Sequence, residues 1–175
     1  MSESPAVGDA NDDDASRMLL GFLQYQRDSV LKIVEGLPEE AWQRPVVPTG
    51  WTVAGMLWHL GGAEYHWFQN VTTGVKQEPS SDEEVGEYDP LAAFTCELPS
   101  AEVIADYRDV CRRSDEVLAV TPLSAAPRGV HTDPELEVPN VRWIVLHMIE
   151  ETAAHSGHLE IARELLDGKT RLGGR

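Results

Sequence analysis

The segment EETAAHSGH, residues 150–158, places two carboxylates and two imidazoles within nine positions of the chain. His147 lies just before it. At about 100° per residue of helix, His147, Glu151, His155 and His158 fall within about 80° of one another, so they share one narrow stripe. Burying several titratable groups without partners is costly, and a metal ion is the simplest common partner. The spacing therefore indicates a metal site on a helix.

The same stripe is apolar enough to predict a buried helix face. It also carries Trp143, Ile144, Ala154, Ala162 and Leu165. The surrounding pattern predicts a helix from about 141 to 167, capped by Asn140 and ended by Gly168. Any single histidine here is explained equally well as an ordinary core or surface residue, and an E-x-x-x-H pair alone is a weak signal. The metal-site hypothesis needs a further ligand from another element.

A second predicted helix supplies that ligand. It extends from about 53 to 72, with Thr52 as its N-cap, and presents His59 within the apolar run WTVAGMLWHL. Glu151 and His155, four residues apart, can hold one ion together, and His59 from a facing helix would complete the site. Two imidazoles and one carboxylate suit zinc, with nickel or iron as alternatives. Three protein ligands leave a coordination position open, which is typical of catalytic sites.

The remaining pattern predicts an all-α protein. Apolar periodicity indicates one helix from about 15 to 35, ended by Gly36 and Pro38, and another from about 101 to 120, capped by Ser100. Residues 37–51 are expected to be turn-like, and an acidic exposed connection is expected up to about residue 99. Alternating strand patterns and tight hairpin turns are scarce. Four long helices with longer connections between some of them predict a four-helix bundle.

Length and charge limit the other possibilities. A chain of 175 residues suits one domain; we expect a disordered acidic tail at 1–14 and a single domain at 15–175. The formal net charge of −16, from 30 acidic against 14 basic residues, opposes nucleic acid or an anionic membrane as a partner. Cys96 and Cys111 are expected to be free thiols. Without a visible secretory leader or membrane-spanning run, the expected location is cytoplasmic.

Two stretches of the sequence resemble the DinB-like superfamily, and most closely its mycothiol-linked branch. They are GWTVAGMLWHLGGAEYHWF at 50–68 and VRWIVLHMIEETAAHSGHLEIARELLDG at 141–168. The resemblance implies an up-down-down-up four-helix bundle with a divalent metal at one end. The ligands would be a histidine of the second helix and an H-x-x-x-H or E-x-x-x-H pair of the fourth. Those positions match His59, Glu151 and His155. Homodimers are also expected, because relatives commonly dimerise.

The resemblance further implies thiol chemistry. Mycothiol-dependent maleylpyruvate isomerases carry an additional C-terminal domain, whereas this chain ends soon after its fourth predicted helix, so we expect a transferase. In that hypothesis the metal ion activates mycothiol, or a similar low-molecular-weight thiol, as a thiolate that attacks an electrophilic substrate. The alternative is a non-catalytic metal-binding stress-response protein of the same fold, which would keep the same three ligands.

Two further classes are disfavoured by the sequence. A di-iron carboxylate bundle requires Glu-x-x-His on two helices, and none of Glu64, Glu150 and Glu151 has a histidine three residues later. A DNA-binding helical regulator is opposed by the net charge.

The sequence offers no catalytic residue beyond the three candidate ligands. Cys111 follows an apolar helix pattern and is expected to pack in the core. His158 is interpreted as an alternative ligand, a hydrogen-bond donor to a ligand, a proton shuttle or a polar residue at the rim of the pocket. His66 and His147 are expected to pack or hydrogen-bond a turn or more away. His131 lies in a loop and supports no argument.

Overall fold

The computed structural model describes residues 13–75, 92–131, 133 and 135–171. Within these ranges the protein is all-α, with no β-strand. A π-helical turn, Tyr65–Val71, continues the third helix, and a 3₁₀ turn, Ala92–Phe94, precedes the fourth. The α-helices are α1 (Asp14–Val34), α2 (Glu39–Trp42), α3 (Val53–Glu64), α4 (Ser100–Val120) and α5 (Val141–Asp167).

Two expectations fall largely outside the described residues. The acidic tail expected at 1–14 lies outside them except for its last two residues. Asp13 caps α1, and its carboxylate accepts a hydrogen bond from the backbone N–H of Ser16 at 3.0 Å. The acidic connection expected before residue 99 lies outside them over residues 76–91.

The predicted start of α3 and both predicted ends of α5 are confirmed. Thr52 Oγ1 accepts a hydrogen bond from the backbone N–H of Gly55 at 3.1 Å, and α3 follows directly. Asn140 Oδ1 accepts one from the N–H of Trp143 at 3.0 Å, which starts α5. Gly168, with φ of 74°, ends α5 in the left-handed conformation that glycine adopts without strain.

Two local predictions were wrong. The segment expected to be turn-like contains α2, and both Ala41 and Trp42 in this helix are buried. Ser100 is the first residue of α4 and not its cap. Its backbone N–H donates to Glu39 Oε1 at 2.9 Å, so a carboxylate from α2 satisfies the start of α4. A negative charge is favourable there, because the first N–H groups of a helix lack intrahelical acceptors.

The second predicted helix is continuous in the chain but changes type at Tyr65. After α3 the hydrogen-bond spacing widens, and the N–H of Thr72 donates to Trp67 O at 3.1 Å. Such π-turns shift the side chains that follow them relative to a regular helix. His66 and Trp67 are both on this turn. Nothing in the sequence pattern indicated it.

The long helices pack in pairs. α1 lies mainly against α5, while α3 packs against α4 and also against α5. One apolar cluster centres on Trp42, Leu57 and Tyr107, and a second on Phe68 and Met148. Among the described residues, no helix has the length and apolar character needed to cross a membrane. The contact of α3 with α5 is the one that positions the candidate site.

A buried ion pair fixes the end of α3, and the sequence analysis missed it. Arg27 of α1, 2 % exposed, contacts both oxygens of Glu64, 0 % exposed, at 2.7 and 2.8 Å. Arg27 Nη1 also donates to Asp115 Oδ1 of α4 at 2.7 Å. The guanidinium thus connects three helices immediately before the π-turn begins. Two parallel hydrogen bonds of this kind fix geometry as well as adding energy.

Candidate metal centre

His59, Glu151 and His155 meet at the contact between α3 and α5. His59 Nε2 lies 3.0 Å from Glu151 Oε1, and His155 Nε2 lies 3.1 Å from the same oxygen. One ligand atom from each residue can be chosen so that all three lie within 4.8 Å of one another. In the part of the chain that the structure describes, no other set of three histidine, cysteine or acidic residues does this. The sequence therefore named the three residues that converge.

The three side chains are partly accessible. Their exposed fractions are 21 % for His59, 27 % for Glu151 and 14 % for His155. Shielding from bulk water strengthens the interaction of an ion with its ligands. The remaining exposure leaves a route for an ion and for a further ligand. Both features suit a site with an open position.

The predicted buried stripe of α5 was partly wrong: Ile144 and Ala162 are buried, as predicted, but other members are not. Ala154 is exposed, and Leu165 is 58 % exposed. The buried face is rotated from the predicted one and includes Ile144, Val145, Met148, Thr152, Ser156, Leu159 and Ala162. Apolar residues lie almost all around this helix, so a helical wheel does not locate the centre of its buried arc. Glu151 and His155 lie at the edge of that arc, where a ligand can reach them.

The electrostatics of the three residues suit a cation. Hydrogen bonds from His155 and then from His59 hold the pKa of the Glu151 carboxyl well below its ordinary value, against the opposing effect of burial. Glu151 is therefore ionised, as a ligand must be. One carboxylate oxygen between two imidazole nitrogens is the donor set that divalent transition ions take. The residues present thus fit the metal that the family resemblance implied.

Phe94 covers one of the candidate ligands. Its ring stacks on the imidazole of His59, with centroids 4.1 Å apart and planes at 25°, and lies 5.8 Å from that of His155. The 3₁₀ turn reaches this position because Gly55 lacks a side chain: a Cβ there would lie 1.7 Å from Phe94 O. The sequence analysis did not single out Phe94. No local signal separates Phe94 from the other residues of its connection.

His158 lies beside His155, not within the group of three. Its Nδ1 is 3.2 Å from Nδ1 of His155, on the side of that ring opposite the atom facing Glu151. His158 is exposed, and its ring centroid is 6.3 Å from that of Trp51. Among the roles left open by the sequence, this contact fits an orienting hydrogen bond best.

The other three histidines surround Trp67. His131 stacks on the Trp67 ring with centroids 4.8 Å apart, and His147 meets it edge-on at 4.7 Å. His66 lies 5.1 Å from His131 and 5.3 Å from Trp67. His66 and His147 therefore pack, as expected, and do not join the group of three. His131, to which the sequence analysis gave no role, belongs to this cluster.

The two cysteines are free and buried. Burial, reinforced by the nearby carboxylate of Glu64, raises the pKa of the Cys111 thiol to about 12. A thiol of that pKa carries almost no thiolate near neutral pH and is a poor nucleophile. Cys111 is a core residue, as predicted.

Fold and site together define a helical protein with a candidate centre of two histidines and one glutamate. The family model for mycothiol-S-transferase matches residues 18–168. The match covers most of the chain, so the chain belongs to the mycothiol-S-transferase family, which confirms the resemblance to the DinB-like superfamily. The curated proteins offer no significant match.

Proposed function

We propose that the protein is a divalent-metal-dependent S-transferase and that His59, Glu151 and His155 hold the ion. Its thiol would be mycothiol or a similar low-molecular-weight thiol. The observation that supports this most is the convergence of three ligand atoms within 4.8 Å, in a chain of the mycothiol-S-transferase family. Zinc is the ion we propose first because of the donor set, with nickel or iron as alternatives.

The chain's own residues prepare the site for this chemistry. When bound, a divalent ion acts as a Lewis acid that lowers the pKa of a thiol. Glu151 is held ionised by its two imidazole neighbours. His158 orients His155 through the Nδ1 contact, and Phe94 shields the ring of His59. The nucleophile comes from the thiol cosubstrate, since Cys111 is buried with a raised pKa.

We also propose the finer features of fold and context that the resemblance implies. The helices α1, α3 with its π-turn, α4 and α5 would form the up-down-down-up bundle of a single domain at 15–175. The pairing of α1 with α5 and of α3 with α4 is compatible with it. The proposed location is the cytoplasm. The expected homodimer stays a prediction; α1 leaves Met18, Phe22 and Tyr25 exposed, and these are the first side chains to test.

The alternative is a non-catalytic metal-binding stress-response protein with the same fold. It would use the same three ligands, so ligand geometry does not separate the two proposals. Turnover separates them. A metal-loaded protein that transfers no thiol to any electrophile would support the alternative.

Metal content tests the centre directly. Protein purified without a metal-affinity tag is analysed by elemental mass spectrometry, as wild type, His155→Ala and His131→Ala. The last variant removes an imidazole outside the group of three. We expect about one ion per chain in wild type and in His131→Ala, and none in His155→Ala. Wild type that stays metal-free after zinc is added at neutral pH would refute the proposal. Loaded protein is then assayed with mycothiol and chloroacetamide.

A further inference from the structure

A cavity of about 360 Å³ opens directly beside the candidate metal centre. His59 and Glu151 line one part of it, and His66 lines another. His59 and His66 are seven residues apart, so the cavity extends about 10 Å along α3 and into the π-turn. We call it the α3 cavity. Two of the three proposed metal ligands therefore belong to the wall of this cavity.

The rest of the α3 cavity is apolar, with two aromatic rings and three very small residues. The rings belong to Trp58 and Trp67, and the small residues are Gly62, Ala63 and Ala93. Small side chains leave space, and the Trp58 ring, 41 % exposed, offers a flat surface on which another flat group packs well. Trp67 is buried against His131 and forms part of the cavity wall. This lining suits a ring-containing molecule. It offers very few hydrogen bonds to a polyhydroxylated one.

His66 lines the part of the cavity farther along the helix from His59. Its Nε2 is shielded from solvent and has no hydrogen-bond partner among the described residues, so this atom does not face the open cavity. Burial, and then the nearby His131, lower the pKa of His66, so its ring is neutral near pH 7. His66 therefore adds an uncharged ring to the wall of the cavity.

Charge does not decide the class of molecule. Among the described residues that line the cavity, Glu151 is the only acidic one and none is lysine or arginine. The whole chain carries a formal net charge of −16, which repels an anionic molecule at long range. A divalent ion at the proposed ligands would attract an anion locally. The apolar lining is therefore the feature that selects the molecule.

We propose that the α3 cavity is the acceptor pocket of the enzyme and takes a flat, largely apolar electrophile. The reaction rests on the proposed function, whereas binding to the cavity does not. In the transfer, the thiol sulfur forms a bond to the electrophilic carbon, the leaving group departs with its bonding electron pair, and the thiol proton goes to solvent. With 1-chloro-2,4-dinitrobenzene the products are the aryl thioether, chloride and a proton.

Binding is tested first, with an unreactive probe. Isothermal titration calorimetry measures the Kd of 2,4-dinitroaniline for metal-loaded wild type, Ala93→Leu, Ala63→Leu and Ala119→Leu. Ala93 is exposed on the 3₁₀ turn, so the larger side chain fills the cavity without disturbing the core; Ala119 is exposed on α4, outside the cavity lining. We expect Kd to rise at least about tenfold in Ala93→Leu and Ala63→Leu and to stay unchanged in Ala119→Leu.

For turnover, the ratio of kcat/KM for 1-chloro-2,4-dinitrobenzene to that for chloroacetamide should fall at least about tenfold in Ala93→Leu. The ratio should be unchanged in Ala119→Leu.

The outcomes separate this inference from the proposed function. No binding of dinitroaniline to wild type, or equal Kd values for Ala93→Leu and Ala119→Leu, would overturn the acceptor pocket even if thiol transfer to chloroacetamide is observed. Binding as expected, with no thiol transfer to either electrophile, would support the pocket and refute the proposed S-transferase activity.

Discussion

Gly55 and Phe94 are in such close contact that a Cβ on the glycine would lie 1.7 Å from the carbonyl oxygen of Phe94. Gly55 precedes His59 by one turn of α3, and Phe94 stacks on the His59 ring at 4.1 Å. A missing side chain at one position therefore decides which ring covers a candidate ligand at another. The segment around Phe94 has this role only because α3 leaves space for its backbone.

Replacing Gly55 by alanine should weaken metal binding. The new Cβ forces the 3₁₀ turn away and takes Phe94 off the His59 ring, although alanine is the better helix former. We expect the zinc Kd to rise about tenfold. Changes of this size are seen when a residue that supports a metal ligand is removed. Gly21→Ala is the matched control: it has nothing within 4 Å and should stabilise α1 by up to about 1 kcal/mol. Equal zinc affinity in both variants would contradict the role given to Phe94.

Removing His158 should weaken zinc binding without abolishing it. His158→Ala deprives His155 Nδ1 of its contact, and such losses cost about 10- to 100-fold in metal affinity. His158→Asn keeps an acceptor close to the position of Nδ1, so it should recover most of the affinity. Competition with a chromophoric chelator measures all three proteins. If His158→Ala loses the metal as completely as His155→Ala does, His158 is a ligand and not an orienting residue.

Truncating one partner of the buried Arg27–Glu64 ion pair should lower the free energy of unfolding strongly. Arg27→Met leaves Glu64 buried without a partner, which should cost about 3–5 kcal/mol in free energy of unfolding. The double variant Arg27→Met with Glu64→Leu should regain most of this, because both charges are gone. Urea unfolding of the wild type, both single variants and the double variant gives the coupling energy. Arg112→Met, which breaks two exposed ion pairs of α4, should change stability little.

His66 should make the protein less stable in mild acid. Its pKa is lowered in the folded protein, by burial first and by His131 second, from an ordinary value of about 6.5. The unfolded chain then binds a proton more readily, so stability is full above about pH 6.5 and falls as the pH drops from there towards the folded-state pKa. Wild type should therefore lose more free energy of unfolding than His66→Gln between pH 7.5 and 5.5.

In the comparison of wild type with His66→Gln, the contributions of the other titrating groups cancel, since both proteins contain them. A second variant tests the cause of the shift: His131→Asn should raise the pKa of His66 in an NMR titration. Equal pH dependence of stability in wild type and His66→Gln would show that the buried ring has no such effect.

The elements and the candidate ligands were readable from the sequence because their signals are local. Asn140, Thr52 and Gly168 act through hydrogen bonds and backbone conformations within a few residues, so the start of α3 and both ends of α5 could be placed without tertiary information. Glu151 and His155 are one helical turn apart whatever surrounds them. His59 was found by assuming that its helix faces theirs.

Other features depend on contacts between residues far apart in the chain. The capping of α4 by Glu39, the pairing of Arg27 with Glu64 and the stacking of Phe94 on His59 join residues separated by 61, 37 and 35 positions. The helical spacing of apolar residues in the sequence does not reveal such partners.

By itself, the sequence indicated an all-α chain and placed the bounds of three of its four long helices closely. It also identified three side chains of the right chemistry for a metal ion. The tertiary structure decided that these three meet at the edge of the buried face of α5, and that a cavity lies beside them. Helical periodicity is set by the backbone, so the spacing of apolar residues along the chain reveals it. The depth of a side chain, and the space next to it, are set by how whole helices pack against each other.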